Sequence, residues 1–408
     1  MFKVSLVLAT ITLTMSLLTI LQDSASAQTK FKDDVEFLKK YVTVIVLKDK
    51  DSSGLVAVVP EYQGRIMTSS AEGSEGISFG WINKELISSK QIQPHINVYG
   101  GEDRFWMGPE GGQFGIFFPP GVPFDFDHWQ TPSVIDTEPY ETVSQSETEA
   151  SFRKIAKVKN WSGTEFDVLI ERTVSIIPKE QTAGLLGAKL PSDIKYVAFQ
   201  SVNKITNIGK EDWQKEKGTL SIWILGMFNP SPETTIVIPF LPGPENVLGP
   251  KVNDAYFGKV PPDRLKVLDN VLFFKGDGNY RSKIGISPKR ALSVAGSYDA
   301  KNKILTVVQY NKPTELKPYV NSMWEMQKDP YGGDVINSYN DGPVGPGKKP
   351  LGPFYELETS SPAAELKKNE SIEHIHRTFH FVGSEESLNY LAKEILGVEL
   401  EEIKKAFN

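Results

Sequence analysis

The chain has 408 residues, of which 39% are hydrophobic and 24% charged, and this is the composition of a globular protein rather than a disordered or fibrous one. Its formal net charge of −6 lacks the basic excess of nucleic-acid-binding proteins, so we expect no nucleic-acid partner. The sequence has no cysteine, which excludes disulfides, thiol nucleophiles and cysteine-based metal sites. Any catalysis therefore depends on carboxylates, histidine, tyrosine, lysine, arginine or a hard metal.

The N-terminal segment, residues 1–27, predicts a secretory signal peptide. Lys3 is a short positive end, Val4–Leu21 is an apolar and hydroxyl run, and Ala25–Ala27 is a small-residue cleavage site. The alternative is a membrane anchor, but serine and threonine dilute the run and Asp23 follows it. After cleavage we expect no membrane span. A secreted chain without cysteine indicates the periplasm or exterior of a Gram-negative bacterium.

The body of the chain, residues 28–383, predicts a single all-β domain. Short β-branched runs alternate with glycine and proline, which is typical of antiparallel strands joined by turns. A hairpin is expected around Asn160–Gly163, with Phe152–Val158 and Glu165–Ile177 as its arms. The other predicted strands are Tyr41–Leu47, Gly54–Val59, Arg65–Met67, Lys195–Asn203, Thr219–Phe228, Thr235–Pro239, Val271–Lys275, Ala291–Ser297, Ile304–Tyr310, Phe354–Glu358 and Ser371–Phe381.

Helix patterns are confined to the two ends of the mature chain. Phe31–Lys40 predicts one short amphipathic helix. Ser384–Phe407 predicts a longer helical pattern with Ser384 as its N-cap, and Gly397 is expected to divide it into two helices. We expect this C-terminal segment, residues 384–408, to pack on the same domain.

Two long stretches, Tyr99–Pro139 and Lys312–Pro353, have no regular pattern and predict functional loops. Both combine glycine with tryptophan and carboxylates, the usual lining of a sugar site; a turn-rich structural hairpin is the alternative for the first. We expect the two loops to meet over one cleft, with Trp106 and Trp324 in the same pocket. The candidate substrate-binding residues are Glu102, Trp106, Glu110, Trp324, Glu325, Asn337, Tyr339 and Asp341.

No bound cofactor is expected from the sequence. In the second stretch, Asp334, Asn340 and Asp341 have the oxygen ligands that calcium prefers, but their spacing does not match an EF-hand loop. Asx turns that cap themselves are the alternative interpretation.

Two late carboxylates, Glu356 and Glu358, are candidate catalytic residues. On a strand, their side chains would point to one face, about 6–7 Å apart. They would be either solvated or directed at a site.

The histidines give two further candidates. His95 directly precedes the glycine-rich loop and is a candidate general acid or base; a hydrogen-bonded structural histidine is the alternative. His374, His376 and His380 alternate along one strand, and we expect them to lie on its solvent face, since the other face carries Phe379 and Phe381. A zinc half-site is the alternative.

Several segments together resemble the galactose-mutarotase-like, aldose-epimerase-related superfamily. These segments are Pro60–Met67 (PEYQGRIM), Gly100–Gly112, Asn160–Ile177, Thr206–Gly209, Phe354–Ser361 (FYELETSS) and Leu366–Ser371. The resemblance implies an antiparallel supersandwich of two large sheets with a sugar cleft on a concave face. It also implies a late catalytic glutamate, matched by Glu356 or Glu358. The family's mid-chain histidine has no counterpart, since the sequence has no histidine between His128 and His374.

Two functions follow from these observations. The first is a carbohydrate-active enzyme, an epimerase or a glycoside-cleaving enzyme, in which Glu356 or Glu358 acts with His95 or His128 and Arg104 neutralises developing charge. The second is a non-catalytic carbohydrate-binding protein. The enzyme is the preferred hypothesis, and we expect a monomer with a carbohydrate ligand.

Overall fold

The computed structural model describes residues 28–50, 53–345 and 347–407. The predicted signal peptide, residues 1–27, lies outside the described residues. Seven α-helices occur in the described residues: α1 Phe31–Leu38, α2 Lys84–Ser89, α3 Ser133–Asp136, α4 Lys179–Leu186, α5 Glu245–Leu248, α6 Glu385–Leu396 and α7 Leu400–Lys404. No helix in these ranges is long and apolar enough to cross a membrane.

Most of the regular structure consists of strands, as the sequence predicts. The described residues form β1 Ile45–Lys48, β2 Leu55–Val59, β3 Arg65–Ser70, β4 Arg104–Gly108, β5 Glu141–Gln145, β6 Glu149–Lys159, β7 Glu165–Ile176, β8 Lys195–Asn207, β9 Ser221–Phe228, β10 Thr234–Pro239, β11 Leu265–Val267, β12 Val271–Lys275, β13 Ser282–Ile286, β14 Val294–Asp299, β15 Ile304–Tyr310, β16 Ile336–Asn340, β17 Tyr355–Ser360 and β18 Ser371–Val382.

The strands form two large antiparallel sheets and one small sheet. The larger sheet has ten strands in the order β11-β12-β10-β14-β15-β18-β8-β7-β6-β5, and the second has five in the order β13-β16-β17-β9-β4. Strands β1, β2 and β3 form a separate three-stranded sheet that the sequence analysis did not separate from the rest. The predicted all-β antiparallel fold is confirmed, with this third sheet added.

Two strands of the five-stranded sheet lie inside the stretches that the sequence predicted to be irregular. Strand β4 belongs to Tyr99–Pro139, and β16 belongs to Lys312–Pro353. Both are five residues long and are held mainly by pairing with strands distant in sequence: β4 with β9, and β16 with β13 and β17. The prediction of two uninterrupted loops was therefore wrong. Strands of only five residues are too short to show a clear alternating pattern in the sequence, which is why these two were not predicted.

The inner faces of the two large sheets pack on each other. Strand alternation directs Phe105 and Ile224 of the five-stranded sheet into a core that they share with Phe152 and Phe199 of the ten-stranded sheet. The alternate side chains of the five-stranded sheet point to its outer face, which is not covered by the ten-stranded sheet. This outer face contains the candidate site described below.

A buried ion pair links the ten-stranded sheet to the segment before β4. The guanidinium of Arg172 donates to the Asp103 carboxylate at 2.7 Å and to the Gly64 carbonyl at 3.1 Å. Ser201 donates to the other carboxylate oxygen of Asp103 at 2.7 Å. Neither Arg172 nor Asp103 is exposed by more than 1%. Each charge depends on its partner because water cannot reach it.

The three histidines of β18 lie on the buried face of the sheet, so the predicted solvent exposure was wrong. His374 and His376 share the Thr359 hydroxyl of β17, at 2.7 and 2.8 Å, and His380 lies 2.7 Å from the Glu102 carboxylate. The opposite face of β18 is also covered, because the C-terminal helices pack over it. The alternation had shown which side chains share a face, but both faces are buried.

The C-terminal helices end the chain as the sequence predicts. Leu388 and Leu391 of α6 pack in one cluster with Phe379 and Phe381 of β18. The Ser384 hydroxyl accepts the backbone N–H of Ser387 at 3.2 Å, and Gly397 has a φ of 70° after the last turn of α6. The N-cap and the break at glycine are therefore both confirmed.

We expect the buried histidines His374 and His376 of β18 to make the stability of the fold sensitive to acid. Burial lowers the pKa of His374 to about 3 and that of His376 to about 4. Below the unfolded-state pKa of about 6.5, the unfolded chain binds protons that the folded chain excludes, so stability falls as the pH falls. Each histidine contributes up to about 1.4 kcal/mol per pH unit between roughly pH 6.5 and 4. Urea unfolding at pH 7, 6 and 5 measures this slope.

The matched comparison is His374→Gln against His128→Gln. His128 is exposed and pairs with Asp125 on the surface. His374→Gln should reduce the pH slope by about one proton between pH 6.5 and 4, whereas His128→Gln should leave it nearly unchanged. Equal slopes in the two variants would contradict the assignment of neutral buried histidines.

Candidate functional site

The outer face of the five-stranded sheet gathers the polar residues of its strands. In β17, alternation directs Glu356 and Glu358 to this face, while Leu357 between them points into the core. The register places Glu356 between Met227 of β9 and Tyr339 of β16. It places Glu358 opposite Asn337 of β16. Five strands that are distant in sequence thus present their side chains to one surface.

The first carboxylate, Glu356, is paired with Arg104 of β4. The guanidinium donates to Glu356 Oε1 at 3.0 Å, and its central carbon lies 4.2 Å from the ring centroid of Trp106. Burial raises the pKa of Glu356 to about 8, although Arg104 acts in the opposite direction. A carboxyl group that keeps its proton near neutral pH is suited to donate it to a bound ligand.

The second carboxylate, Glu358, is held by Lys283 of β13 and Trp223 of β9. Lys283 Nζ lies 3.0 Å from Glu358 Oε2, and the Trp223 indole N–H donates to the same oxygen at 2.9 Å. The ammonium group lies 4.6 Å from the centroid of the Trp223 ring. Within the described residues, the other oxygen, Oε1, is buried and has no hydrogen-bond partner. That oxygen is free to accept a hydrogen bond from a ligand.

The two irregular stretches meet at one end of this face. The backbone N–H of Glu110 donates to the Ser322 hydroxyl at 3.2 Å. A Cβ at Gly111 would lie 2.6 Å from the Met323 carbonyl oxygen and 2.8 Å from Trp324 Cδ1, so only glycine permits this approach. Burial raises the pKa of Glu110, with Lys283 opposing the shift. The loops thus share one surface.

The tryptophans of the two loops are separated by other rings. Trp106 contacts Phe117 at 5.1 Å and Trp223 at 5.5 Å between ring centroids. Trp324 stacks on Trp129 at 5.7 Å. Neither Trp106 nor Trp324 lines the small cavity between the loops, so this cavity is not the pocket that the two tryptophans were expected to share.

A cavity of about 20 Å³, room for about one water molecule, is lined by Trp223 and Lys283, the two residues that hold Glu358, but not by Glu358 itself. It is closed on one side by Tyr256, whose hydroxyl donates to Asp334 at 2.7 Å and accepts from Asn337 at 3.0 Å. The residues lining it are Gly108, Glu110, Ser221, Trp223, Tyr256, Lys283, Val320, Ser322, Asp334, Asn337 and Ser360. A sugar requires a larger space than this cavity has in the structure.

Two predicted substrate-binding residues lie away from this face. Glu102 is fully buried between the sheets, where it accepts from Ser69 at 2.9 Å and contacts His380 at 2.7 Å. Glu102 precedes β4, and its side chain turns inward before the strand alternation begins. Glu325 is exposed on the surface of the second loop. The structure assigns neither residue to the candidate site.

Tyr339 and Asp341 lie at the other end of the face, near Glu356. The Tyr339 hydroxyl donates to Asp341 at 2.9 Å, and the Gly352 backbone N–H donates to the second oxygen of Asp341 at 2.8 Å. Burial raises the pKa of Asp341 to about 6. Asp341 thereby fixes the loop that follows β16.

The structure does not bring His95 to the carboxylates. Its Nδ1 lies 2.6 Å from the Trp129 carbonyl oxygen, and its ring packs 4.6 Å from that of Phe126. It lines a separate surface groove that contains neither Glu356 nor Glu358. His128, the other early candidate, is an exposed partner of Asp125.

The three oxygen-bearing residues proposed for calcium do not converge. Asp334 accepts from Tyr256, Asp341 accepts from Tyr339, and Asn340 donates to the Tyr280 carbonyl at 2.9 Å. Within residues 28–50, 53–345 and 347–407, no group of three histidines or carboxylates is arranged to hold a metal ion.

Trp223, Lys283 and Tyr256 were not among the site residues predicted from the sequence. Trp223 was placed inside a predicted strand and was not considered for the site. Lys283 is the only charged residue in the short strand β13, and a lone charge in an apolar strand is the signal that could have identified it. No local pattern distinguishes Tyr256, which comes from a connecting segment.

A family model described as a family of unknown function, DUF6786, matches residues 29–407. The chain belongs to this family. No curated protein matched the sequence.

Among solved structures, the chain is similar to protein Slr1438 of Synechocystis sp. PCC 6803, with 12% identity over 84% of this chain and 96% of the other and a TM-score of 0.49. It is also similar to a galactose mutarotase-like protein from Lactobacillus casei (10% identity, 83% and 100% covered, TM-score 0.48). A third is a galactose mutarotase related enzyme from Lactobacillus acidophilus (8% identity, 83% and 97% covered, TM-score 0.45).

Proposed function

We propose that this protein binds a carbohydrate on the outer face of the five-stranded sheet and transforms it by acid–base chemistry. The observation that carries the proposal is the pair of carboxylates on one strand face, each held by a cation that lies against an indole ring. Glu356 is held by Arg104 beside Trp106, and Glu358 by Lys283 beside Trp223. Aromatic faces and paired polar groups are what a sugar ring and its hydroxyls require.

The two carboxylates are proposed to have different roles. Glu356, whose pKa is raised by burial, would donate its proton to a sugar oxygen. Glu358 would accept a proton through its unpaired oxygen Oε1, while Lys283 holds the opposite oxygen. Arg104 would then stabilise the charge that develops on Glu356. The chemistry is that of an epimerase or a glycoside-cleaving enzyme; non-catalytic binding at the same face is the second candidate.

The small size of the cavity means that ligand binding would require Tyr256 to move. With Tyr256 bonded to Asp334 and Asn337, the cavity beside Trp223 and Lys283 has room for about one water molecule. The hydroxyl of Tyr256 thus contacts groups that would otherwise bind a sugar hydroxyl. A ligand would displace it and take over these hydrogen bonds, so binding requires movement of the segment that carries Tyr256.

The proposed setting follows from the sequence. The small residues Ala25–Ala27 after an apolar run support secretion, and we propose a periplasmic or extracellular protein of a Gram-negative bacterium. The net charge of −6 argues against a nucleic-acid partner. We propose that the mature protein acts as a monomer with no required cofactor.

A thermal-shift screen of soluble glycans, followed by calorimetric titration, tests the proposal. A ligand at 100 times its dissociation constant should stabilise the protein by about 2.7 kcal/mol. Trp223→Phe removes the indole N–H that donates a hydrogen bond to Glu358, together with part of the ring surface. This change should weaken the affinity for the glycan about tenfold.

Trp213→Phe is the matched control. Trp213 is as buried as Trp223, at 5% exposed, but it packs against Phe166 in the core. Both variants should lose some stability, and only Trp223→Phe should lose affinity. Equal affinities in the two variants, or the absence of any glycan that stabilises the protein, would overturn the proposal.

A further inference from the structure

A second concave surface lies beside the carboxylate face and has no assigned role. It is a groove of about 430 Å³, within the range of pockets that bind small molecules. Its walls combine amide, imidazole and aromatic groups with apolar side chains. The residues that matter here are Gln91, Gln93, His95, Phe126 and Leu351.

His95 presents one fixed nitrogen to this groove. Its Nδ1 lies 2.6 Å from the carbonyl oxygen of Trp129, so that nitrogen carries the hydrogen and donates it. The ring's other nitrogen, Nε2, is thereby an acceptor. Because its partner is a backbone carbonyl, the orientation of the imidazole is set by the fold and does not depend on a mobile side chain.

Phe126 supplies an aromatic surface next to this histidine. It is 59% exposed, and its ring centroid lies 4.6 Å from that of His95. The side chains of Gln91 and Gln93 are exposed in the same groove and can both donate and accept hydrogen bonds. An exposed ring bordered by amides and an imidazole suits a neutral ligand with one apolar face and many hydroxyls, which is the chemistry of a sugar ring.

The groove is separated from Glu356 by a thin apolar layer. Ile96 and Val98 line the groove; Val98 belongs to the same buried cluster as Met227 and Tyr339, and the partly buried Ile96 packs against that cluster. Met227 and Tyr339 are the direct strand neighbours of Glu356. A ligand that occupies both the groove and the carboxylate face must therefore extend past these side chains.

The segment that forms this layer also faces the buried charges. Between Ile96 and Val98, Asn97 points inward and donates to Asp136 from both its backbone N–H, at 3.1 Å, and its side chain, at 2.8 Å. Asp136 in turn favours the charged form of Arg104, the partner of Glu356. One short segment thus forms a wall of the groove and supports the charge cluster.

We propose that this groove binds a second sugar unit, so that the ligand of the protein is an oligosaccharide rather than a free monosaccharide. This inference rests on the proposed function of the carboxylate face. One unit occupies that face, and the next stacks on Phe126 and donates a hydroxyl hydrogen to His95 Nε2. His95 is then a binding residue and takes no part in proton transfer.

Calorimetric titration with trisaccharides of glucose, galactose, mannose and xylose, each compared with its monosaccharide, tests the inference. The best trisaccharide should bind at least tenfold more tightly than its monosaccharide. Phe126→Ala should remove about tenfold of the trisaccharide affinity and leave the monosaccharide affinity unchanged. His95→Ala should act in the same direction. The high exposure of Phe126 means that Phe126→Ala should leave the melting temperature unchanged.

His128→Gln is the matched control, because His128 lies in the same segment as Phe126 but does not line the groove. The His128→Gln variant should bind the trisaccharide and the monosaccharide with the same affinity as the wild type. If trisaccharide and monosaccharide bind equally and Phe126→Ala has no effect, the groove proposal is overturned while the proposed function stands. If Trp223→Phe also leaves sugar binding unchanged, the assignment of the carboxylate face as a carbohydrate site is wrong.

Discussion

Replacing Arg172 with methionine is expected to lower the free energy of unfolding by about 3–5 kcal/mol. The change leaves the Asp103 carboxylate buried between the sheets without its charge partner, and it also removes the hydrogen bond to the Gly64 carbonyl. Ser201 alone would remain to satisfy Asp103. Equilibrium unfolding in guanidinium chloride at pH 7 measures the loss, which is a large fraction of the stability of a typical domain.

The control for this prediction is an ion pair on the surface. Arg153 and Glu141 lie 3.0 Å apart on neighbouring strands, but their side chains are 48% and 63% exposed. Arg153→Met should cost less than about 1 kcal/mol, since water already screens that pair. A loss at Arg172 no larger than the loss at Arg153 would mean that the buried pair does not join the sheets as described.

Replacing Glu356 with glutamine is expected to reduce kcat by about a hundredfold or more on the carbohydrate that the glycan screen identifies. Glutamine keeps the shape of the side chain and can still accept a hydrogen bond from Arg104, but it has no proton to transfer. Substrate affinity should therefore be largely retained. Glu358→Gln is expected to act in the same direction. Initial rates at several substrate concentrations separate the change in kcat from the change in KM.

Glu325→Gln provides the comparison for these variants. Glu325 belongs to the second loop, but its side chain is exposed and lies away from the carboxylates. Its kcat should remain that of the wild type. A demonstrated activity that survives both Glu356→Gln and Glu358→Gln would remove the two carboxylates from the chemistry. Retained binding with no turnover in the wild type would instead favour the non-catalytic candidate.

The fold could be predicted from the sequence wherever the signal was local. The arms of the β6–β7 hairpin were recognised because they are long and alternate in hydrophobicity around a turn. The end of α6 was recognised because serine and glycine determine helix termini through their own chemistry. Both features are marked by short sequence signals: a turn between alternating arms, and the residues at the helix ends.

The candidate site was only partly predictable because it depends on strand pairing. Glu356 and Arg104 were both candidates, but their contact joins residues 252 positions apart and depends on the order β17-β9-β4. Lys283 reaches Glu358 in the same way, through β16. Alternation shows which residues share a face, whereas register and sheet order decide what they meet there.

The most direct test of the proposed site is a crystal structure of the protein with the glycan that binds most tightly. We predict a sugar ring over Trp223, with oxygens within hydrogen-bond distance of Glu356 and of Glu358 Oε1, and with the Tyr256 hydroxyl displaced from Asp334. A glycan bound only elsewhere on the molecule, with the Tyr256 hydroxyl still bonded to Asp334, would contradict the assignment of this face as the carbohydrate site.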